Sequence, residues 1–235
     1  MSAPQTSIDA TRYVHEGWLL APEGGAIHLE ERTAVVADVH LGYEWARGEA
    51  GDSIPAHSLA ETLDRLARLF DRAEVRRLIV AGDLVESSRP NARTAADVRR
   101  LGAWLVERSI DWTIIPGNHD RGLEGLRGLP IESAAAMPLA GWTIQHGDRP
   151  PMGDRIVMGH YHPTLRAGGF AVPCFLAGPA LLVLPALSNN AAGLDVATAK
   201  TPASWRGAGL RCLVGAGGEV LDFGPLDTLS ARLSR

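Results

Sequence analysis

The stretch Ile114-Ile-Pro-Gly-Asn-His-Asp120 carries two signals in direct succession. Two branched apolar residues enter a Pro-Gly turn, which is how a buried strand ends at the edge of a sheet. An amide, an imidazole and a carboxylate then follow, and these groups bind metal ions or transfer protons. The stretch therefore predicts a strand that delivers reactive side chains into a loop.

Four other predicted strands end in residues of the same kind. They are followed by Asp38-Val-His40, Gly82-Asp83, His146-Gly-Asp148 and Gly159-His-Tyr-His162. With the opening stretch, which contains His119, these strand-end clusters hold five of the eight histidines in the chain, which chance placement would rarely produce. Active sites of α/β sheets form at the carboxyl ends of strands, so these side chains are predicted to converge.

Length, charge and cysteine content restrict the class of protein. The 235 residues suit one domain with an ample core, and the formal net charge of −4 argues against a polybasic nucleic-acid coat or membrane binder. Cys174 and Cys212 form no metal-binding or redox motif and are expected to be buried thiols in a reducing compartment. Because no targeting signal or membrane span is evident, a cytoplasmic location is expected.

The first half of the chain alternates strands and helices. Trp18–Leu20 and Ala26–Leu29 predict an opening hairpin, and apolar spacing predicts helices over Ser58–Arg72 and about Ala92–Arg108. The polar stretch from Gly42 to Pro55 is expected to be a loop. The order β-α-β-α-β predicts parallel strands with right-handed crossovers.

After Gly128 the pattern changes to strands with little helix between them. These strands are predicted at about 141–145, 155–159, 170–176, 180–184, 209–214 and 218–223. The pattern indicates a second, more antiparallel sheet. The weakly patterned region Ala191–Arg206 is expected to be a surface excursion. Residues 1–235 are predicted to form one domain, with its core at about 12–190 and an excursion with closing strands at 191–235.

The strand ends supply seven oxygen and nitrogen donors of mixed type, none of them a thiolate: Asp38, His40, Asp83, Asn118, His146, His160 and His162. Seven ligands are more than one tetrahedral site can use, and they suit two adjacent five- or six-coordinate ions. Two ions about 3.5–4 Å apart can hold a bridging hydroxide and clamp the oxygens of an in-line displacement at phosphorus. A phosphate ester is therefore the expected substrate.

The ordered set Asp-x-His, Gly-Asp, Gly-Asn-His-Asp, His-Gly and Gly-His-x-His, from Asp38 to His162, resembles the motifs of the calcineurin-like metallophosphoesterases. The resemblance implies an α/β fold, a four-layer α/β/β/α sandwich of two mixed sheets. It implies a first metal held by Asp38, His40 and His162, a second held by Asn118, His146 and His160, and Asp83 bridging both. It also implies that His119, oriented by Asp120, contacts the phosphate and protonates the leaving group.

Further segments are similar to particular branches of that superfamily. Ala37–Glu44 and Gly159–Pro163 resemble small phosphoesterases related to bacterial and archaeal DNA-repair nucleases. Three segments resemble the DNA-ligase-associated branch: Pro173–Leu176, Leu182–Ala186 and Gly193–Asp195. The chain departs from those relatives at Val85-Glu86, where a histidine is frequent, and at Ser188–Asn190, where aromatic and glycine residues are frequent. Both departures leave the substrate open.

The sequence thus predicts a binuclear metal-dependent phosphoesterase, and within that class a phosphodiesterase for nucleic-acid or nucleotide substrates. Two Mn²⁺ ions are expected, with Fe or Zn as alternatives, because these donors discriminate weakly among the three metals. The alternatives are a small-molecule phosphatase or cyclic-nucleotide phosphodiesterase, and a scaffold without metals, for which a missing ligand would be expected. DNA or a nucleotide is the expected partner, without a membrane, and the resemblance implies association with a DNA ligase or helicase.

Several residues near the motifs have two interpretations. Three arginines either hold a non-bridging phosphate oxygen or are solvated: Arg89, Arg121 and Arg149. Tyr43 and Trp45 either stack on a base or pack the loop, and packing is favoured. His15, His28 and His57 have no matching context and are expected to be ordinary surface or hairpin residues.

Overall fold

Seven strands form the first sheet of the computed structural model, which describes residues 13–125, 132–198 and 201–233. Their order across the sheet is their order along the chain: β1 (Tyr13–His15), β2 (Trp18–Leu20), β3 (Ala26–His28), β4 (Thr33–Val36), β5 (Arg77–Ala81), β6 (Asp111–Ile115) and β7 (Glu132–Ser133). Pairing is antiparallel from β1 to β4 and parallel from β4 to β7. The predicted hairpin and the predicted parallel strands are both confirmed.

Three helices connect the parallel strands of this sheet. Helices α1 (Tyr43–Glu49) and α2 (Ser58–Phe70) lie between β4 and β5, and α3 (Ala92–Val106) lies between β5 and β6. The side chain of Asn91 caps α3 by accepting from two backbone N–H groups of its first turn. A short 3₁₀ helix, Asp120–Gly125, follows β6. Helices α2 and α3 agree with the periodicity of the sequence.

Helix α1 was expected to be a loop, and the structure corrects that expectation. Gly42 precedes it in the left-handed conformation, with φ of 78°. Two tertiary contacts hold the helix: the buried Glu44 carboxylate accepts from the His57 N–H at 3.2 Å, and the Trp45 indole donates to Asp97 at 2.7 Å. A helix of seven residues is too short to show a clear apolar period in the sequence. A helix of this length is marginal on its own and depends on such tertiary contacts.

The second sheet has nine strands: β8 (Met137–Leu139), β9 (Trp142–Ile144), β10 (Ile156–Met158), β11 (Pro163–Ala167), β12 (Phe170–Ala177), β13 (Leu181–Val183), β14 (Leu194–Asp195), β15 (Arg211–Ala216) and β16 (Glu219–Pro225). The path β14-β11-β12-β13-β10-β9-β8 carries a branch in which β15 pairs with β12 and β16. Among the described strands of this second sheet, only β9–β10, β10–β13 and β11–β14 are parallel pairs. The sheet is mixed and mainly antiparallel.

The two sheets pack face to face. Along β4 and β5 the side chains alternate between the two faces of the first sheet, as the period of two in a strand requires. Val35 and Ile79 point toward the second sheet and join one core cluster with Trp142 and Phe175. This apolar layer joins the two sheets. The candidate site lies at the carboxyl ends of their strands.

Helices cover the outer faces of both sheets. On the first sheet, Val36 packs in a cluster with Leu66 of α2 and Leu101 of α3. On the second sheet, Leu176 packs with Leu229 of α4 (Leu226–Leu233). The expected α/β/β/α sandwich is therefore confirmed. None of the helices in the described ranges has the length and hydropathy of a membrane span.

The region Ala191–Arg206 differs from the expected surface excursion. It contributes β14 and a short 3₁₀ helix, Ala203–Trp205. Trp205 is only 2% exposed, and its ring meets that of Tyr161 edge to face at 4.9 Å. The pairing of β14 with β11 and the ring contact of Trp205 are both tertiary, so the local sequence shows no periodic pattern that would have predicted them.

Candidate metal centre

Five strand ends meet at one place, and backbone hydrogen bonds join their loops. The N–H of Asp38, after β4, donates to Gly82 at 3.0 Å, and that of His40 donates to Asp83 at 2.9 Å. In the second sheet, the N–H of Gly159 donates to the carbonyl of His146 at 3.0 Å. The predicted ligand residues therefore lie on loops whose positions depend on one another.

The first donor group consists of Asp38, His40 and His162, whose ligand atoms lie within 4.8 Å of one another. His162 Nδ1 lies 3.0 Å from the carbonyl of Ala192, which can only accept, so Nδ1 carries the hydrogen. His162 Nε2 lies 3.4 Å from Asp38 Oδ1, and both atoms are buried without a hydrogen-bond partner among the described residues. Two buried atoms whose lone pairs face each other in this way need a cation between them.

The ionisation of His162 shows the same need for positive charge. Burial lowers the pKa of His162, but Asp38, the Ala192 carbonyl and Asp83 together raise that pKa above its ordinary value. Without a metal, a proton is therefore the available cation at this position. A metal ion bound there would replace the proton.

The second donor group consists of Asp83, His146 and His160, again within 4.8 Å of one another. His146 Nδ1 lies 3.1 Å from the carbonyl of Ala81, so Nε2 keeps its lone pair. That Nε2 lies 3.1 Å from His160 Nδ1, 3.2 Å from Asn118 Oδ1 and 3.5 Å from Asp83 Oδ2. Burial, and then the neighbouring His146, lower the pKa of His160 and favour its neutral, ligating form.

The two groups adjoin through Asp38. Its Oδ1 lies 3.7 Å from His146 Nδ1, and its Oδ2 accepts from the N–H of His160 at 2.8 Å. Asp83 lies with the second group, and its Oδ1 accepts from the N–H of His119 at 2.8 Å. The structure thus brings together all seven predicted ligand residues, as two neighbouring sets of oxygen and nitrogen donors.

The backbone of the site is strained in a way that no sequence pattern indicated. Non-glycine residues rarely adopt the left-handed region, and each such residue costs about 1–3 kcal/mol where the surroundings impose it. Five predicted ligands have φ in this region: Asp38 (54°), His40 (52°), Asp83 (47°), His160 (68°) and His162 (46°). Strain of this kind is concentrated at functional sites, which supports a role for these loops beyond connection.

Two glycines make the close approach of the donors sterically feasible. A Cβ on Gly82, which has φ of 88°, would lie 1.9 Å from His146 Nδ1. A Cβ on Gly117 would lie 2.2 Å from Asp83 Oδ1. The glycines of the Gly-Asp and Gly-Asn-His-Asp motifs are therefore required by the packing of the donor groups themselves.

His119 and Asp120 are placed beside the donors, but not as expected relative to each other. His119 Nδ1 is hydrogen-bonded to the backbone carbonyl of Glu86, and the ring packs edge to face against His40 at 5.2 Å. The buried Asp120 carboxylate accepts instead from the N–H groups of Gly117 at 2.9 Å and Val85 at 3.1 Å. The expectation that Asp120 orients the imidazole is corrected: its side chain folds back onto the turn.

The electrostatics of Asp120 agree with a structural role. Burial raises the pKa of its carboxyl group, and the backbone N–H groups partly offset that rise because they stabilise the ionised form. The carboxylate thereby links the turn after β6 to the loop after β5. Asp120 positions the backbone that carries Asn118 and His119.

Glu86 is the site residue that the sequence did not single out. Its Oε2 lies 3.0 Å from His40 Nδ1, and it forms a third potential ligand group with His40 and His119. The available signal was its position three residues after Asp83, in the loop where the chain departs from its relatives. A lone glutamate in a polar loop is otherwise indistinguishable from a solvated residue.

The remaining candidates lie outside the two donor groups. Trp45 packs α1 through its bond to Asp97 and a 5.0 Å contact with the Arg93 guanidinium, as the packing interpretation predicted. His15 and His28 lie in the hairpin strands β1 and β3. Three arginines are exposed in segments that follow site strands: Arg89 and Arg149 on loops, and Arg121 in the short 3₁₀ helix.

Residues 31–178 match the family model described as calcineurin-like phosphoesterase. A solved structure, the nuclease MPE of Pseudomonas putida, aligns with a TM-score of 0.68 and 24% identity over 89% of this chain and 98% of the other. That likeness shows the shared fold, and both donor groups lie within the matched range. The chain belongs to the calcineurin-like phosphoesterase family and is a metal-dependent phosphoesterase.

Proposed function

We propose that the protein is a phosphodiesterase that cleaves nucleic-acid or nucleotide substrates with two divalent metal ions. One observation carries the proposal: two adjoining sets of buried or half-buried ligand atoms lie beside a histidine whose ring is hydrogen-bonded through Nδ1, and several of these ligand atoms have no hydrogen-bond partner within the described ranges. When bound, a pair of divalent ions supplies an activated water and neutralises charge on phosphate oxygens. Carboxylate, amide and imidazole donors suit Mn²⁺, and also Fe or Zn.

The proposed ligands follow the two donor groups. Asp38, His40 and His162 would hold one ion, and Asn118, His146 and His160 the other. Asp83 is proposed to serve both ions. Its strand, β5, lies between β4, which leads to Asp38 and His40, and β6, which leads to Asn118, so its carboxylate is delivered between the two groups.

His119 is the proposed proton donor. The Glu86 carbonyl can only accept, so Nδ1 carries a hydrogen and the ring presents Nε2 to a bound substrate. In its cationic form the ring also carries a proton on Nε2, which it can give to the oxygen that leaves phosphorus, becoming neutral; such general-acid help contributes about 10²–10⁴-fold to a rate. Asp120 is proposed to act indirectly, by holding the turn that carries His119.

Two features support a nucleic-acid or nucleotide substrate. Arg89, Arg121 and Arg149 are exposed in segments that follow three of the strands that supply the site, where they could contact flanking phosphates. The similar fold of a protein described as a nuclease points in the same direction. The net charge of −4 favours the alternative, a small-molecule phosphatase or cyclic-nucleotide phosphodiesterase.

A substrate panel with Mn²⁺ tests the proposal. Single-stranded DNA, a nitrophenyl phosphodiester, a phosphomonoester and a cyclic nucleotide are compared, with Asp38→Asn as the inactive control. We expect both diesters to be cleaved faster than the monoester. Preference for the monoester or the cyclic nucleotide would support the alternative enzyme. A protein that binds no metal ion and cleaves none of the four would be the scaffold.

A further inference from the structure

Glu86 contacts two histidines of the site through two different groups. Its side-chain Oε2 lies 3.0 Å from His40 Nδ1, while its backbone carbonyl accepts from His119 Nδ1. The side chain is 27% exposed, so it lies at the rim and not in the core. Neither the proposed ligands nor the proposed proton donor include this residue.

The carboxylate determines which nitrogen of His40 is available. An ionised carboxylate only accepts, so the His40 nitrogen that faces it, Nδ1, is expected to carry the hydrogen. The alignment in the structure falls short of a hydrogen bond, and His40 Nε2 is also buried without a partner among the described residues. A carboxylate behind a ligating imidazole fixes its tautomer and raises its basicity. Nε2 is thereby left as the ligand atom.

We propose that Glu86 is a positioning residue whose carboxylate strengthens metal binding at the first donor group through His40. The proposal rests on His40 being a ligand, as assigned in the proposed function. The orientation of His119 depends on the carbonyl of Glu86 and not on its side chain. Side-chain substitutions should therefore change metal binding without changing proton donation.

Two substitutions form a graded series. Glu86→Gln keeps an acceptor for His40 Nδ1 but removes the charge, whereas Glu86→Ala removes both. If the carboxylate were itself a ligand of the ion, the neutral amide would be a poor replacement, and both variants would lose the ion to a similar extent. Asp148→Asn is the control, because Asp148 is a carboxylate near His160 and outside the proposed ligands.

The experiment titrates Mn²⁺-loaded, full-length protein with a competing chelator and counts the ions retained per chain. In Glu86→Ala, one of two ions should be lost at about 10–100-fold lower chelator concentration, the usual effect of removing a partner of a ligating histidine. Glu86→Gln should show a smaller loss, and Asp148→Asn should match the unsubstituted protein. With excess Mn²⁺, the activity of Glu86→Ala should recover to the same fraction of the unsubstituted protein's activity on DNA and on a nitrophenyl diester.

Several results would overturn the proposal. These are unchanged retention of both ions in Glu86→Ala, equal losses in the Gln and Ala variants, and an equal loss in Asp148→Asn, which would indicate a general charge effect. A selective loss on DNA at saturating Mn²⁺ would show that the side chain acts through His119. Because the chelator titration uses no substrate, its outcome is independent of whether the protein cleaves phosphodiesters.

Discussion

The two donor groups of the site differ in how far the protein satisfies them without a metal. In the second group, His146 Nε2 lies 3.1 Å from His160 Nδ1, which can donate a hydrogen bond to it. In the first group, Asp38 Oδ1, both ring nitrogens of His40 and His162 Nε2 are buried without hydrogen-bond partners in the described part of the chain. The first group therefore depends more on a cation, and we infer that it also depends on Glu86.

The largest expected effect comes from the residue proposed to serve both groups. Asp83→Asn replaces a charged, two-oxygen ligand with a neutral amide, so both groups should bind metal more weakly. The rate should fall by at least about 10³-fold, since several kcal/mol of charge stabilisation are removed. Metal analysis and activity are measured together, with Asp148→Asn as the control. Two tightly bound ions with intact activity would exclude a bridging role for Asp83.

Separate substitutions in each group test whether the two groups hold different ions. His162→Ala should remove the ion of the first group and leave one ion per chain, whereas His160→Ala should remove the ion of the second. Counting ions per chain in both variants checks this assignment. If either variant lost both ions while the other kept both, the division into two groups would be wrong.

His119 should matter for chemistry and not for metal content. A sugar alkoxide leaving from DNA needs a proton, whereas a nitrophenolate is already stable at neutral pH. His119→Gln should therefore retain both ions and lose about 10²-fold more activity on a dinucleotide than on a nitrophenyl diester. Equal losses on the two substrates would indicate phosphate binding instead, and loss of the ions would make His119 a structural residue or a ligand.

The convergence of the donors could be predicted from the sequence because the end of a strand can be recognised from a few consecutive residues. Apolar runs such as Ile114–Ile115 end in polar motifs, and parallel strands bring their carboxyl ends to one edge. The contacts of Asp120 and Glu86 could not be predicted, because they depend on how the loops after β5 and β6 fold against each other. The anchoring of the 191–206 region through Trp205 likewise depends on a tertiary contact.

The backbone conformations of the site were also beyond sequence reasoning. A left-handed φ is suggested by glycine, but Asp38, His40 and His162 adopt it without that signal. Their strain is imposed by the surrounding bonds, such as the N–H of His40 to the carbonyl of Asp83. Residue type alone predicts which atoms can bind a metal, and the loop geometry decides whether they point toward it.

Adding a methyl group next to His146 of the second donor group should lower the free energy of unfolding moderately. Gly82→Ala puts a Cβ against His146 and imposes a left-handed φ on alanine, so unfolding free energy should fall by about 1–3 kcal/mol. Gly48→Ala in α1 is the matched control, because nothing lies within 4 Å of its added Cβ. Denaturant unfolding measures both. Equal stability of the two variants would show that the site tolerates displacement of His146.

The smallest effect is expected from substitutions outside both donor groups. These substitutions test whether the donor groups, and not the surrounding surface, hold the substrate. Because the chain has a net charge of −4, DNA binding should rely on the bound metal ions and on the exposed Arg89, Arg121 and Arg149. The dependence of DNA affinity on salt should then correspond to about two to four phosphates, and not to the roughly 6–10 of an extended interface. Neutralising one arginine, as in Arg121→Gln, should reduce that slope by about one phosphate while leaving cleavage of a nitrophenyl diester unchanged. A steep slope that persists after the metal ions are removed would show that an extended surface, and not the two donor groups with their rim, determines binding.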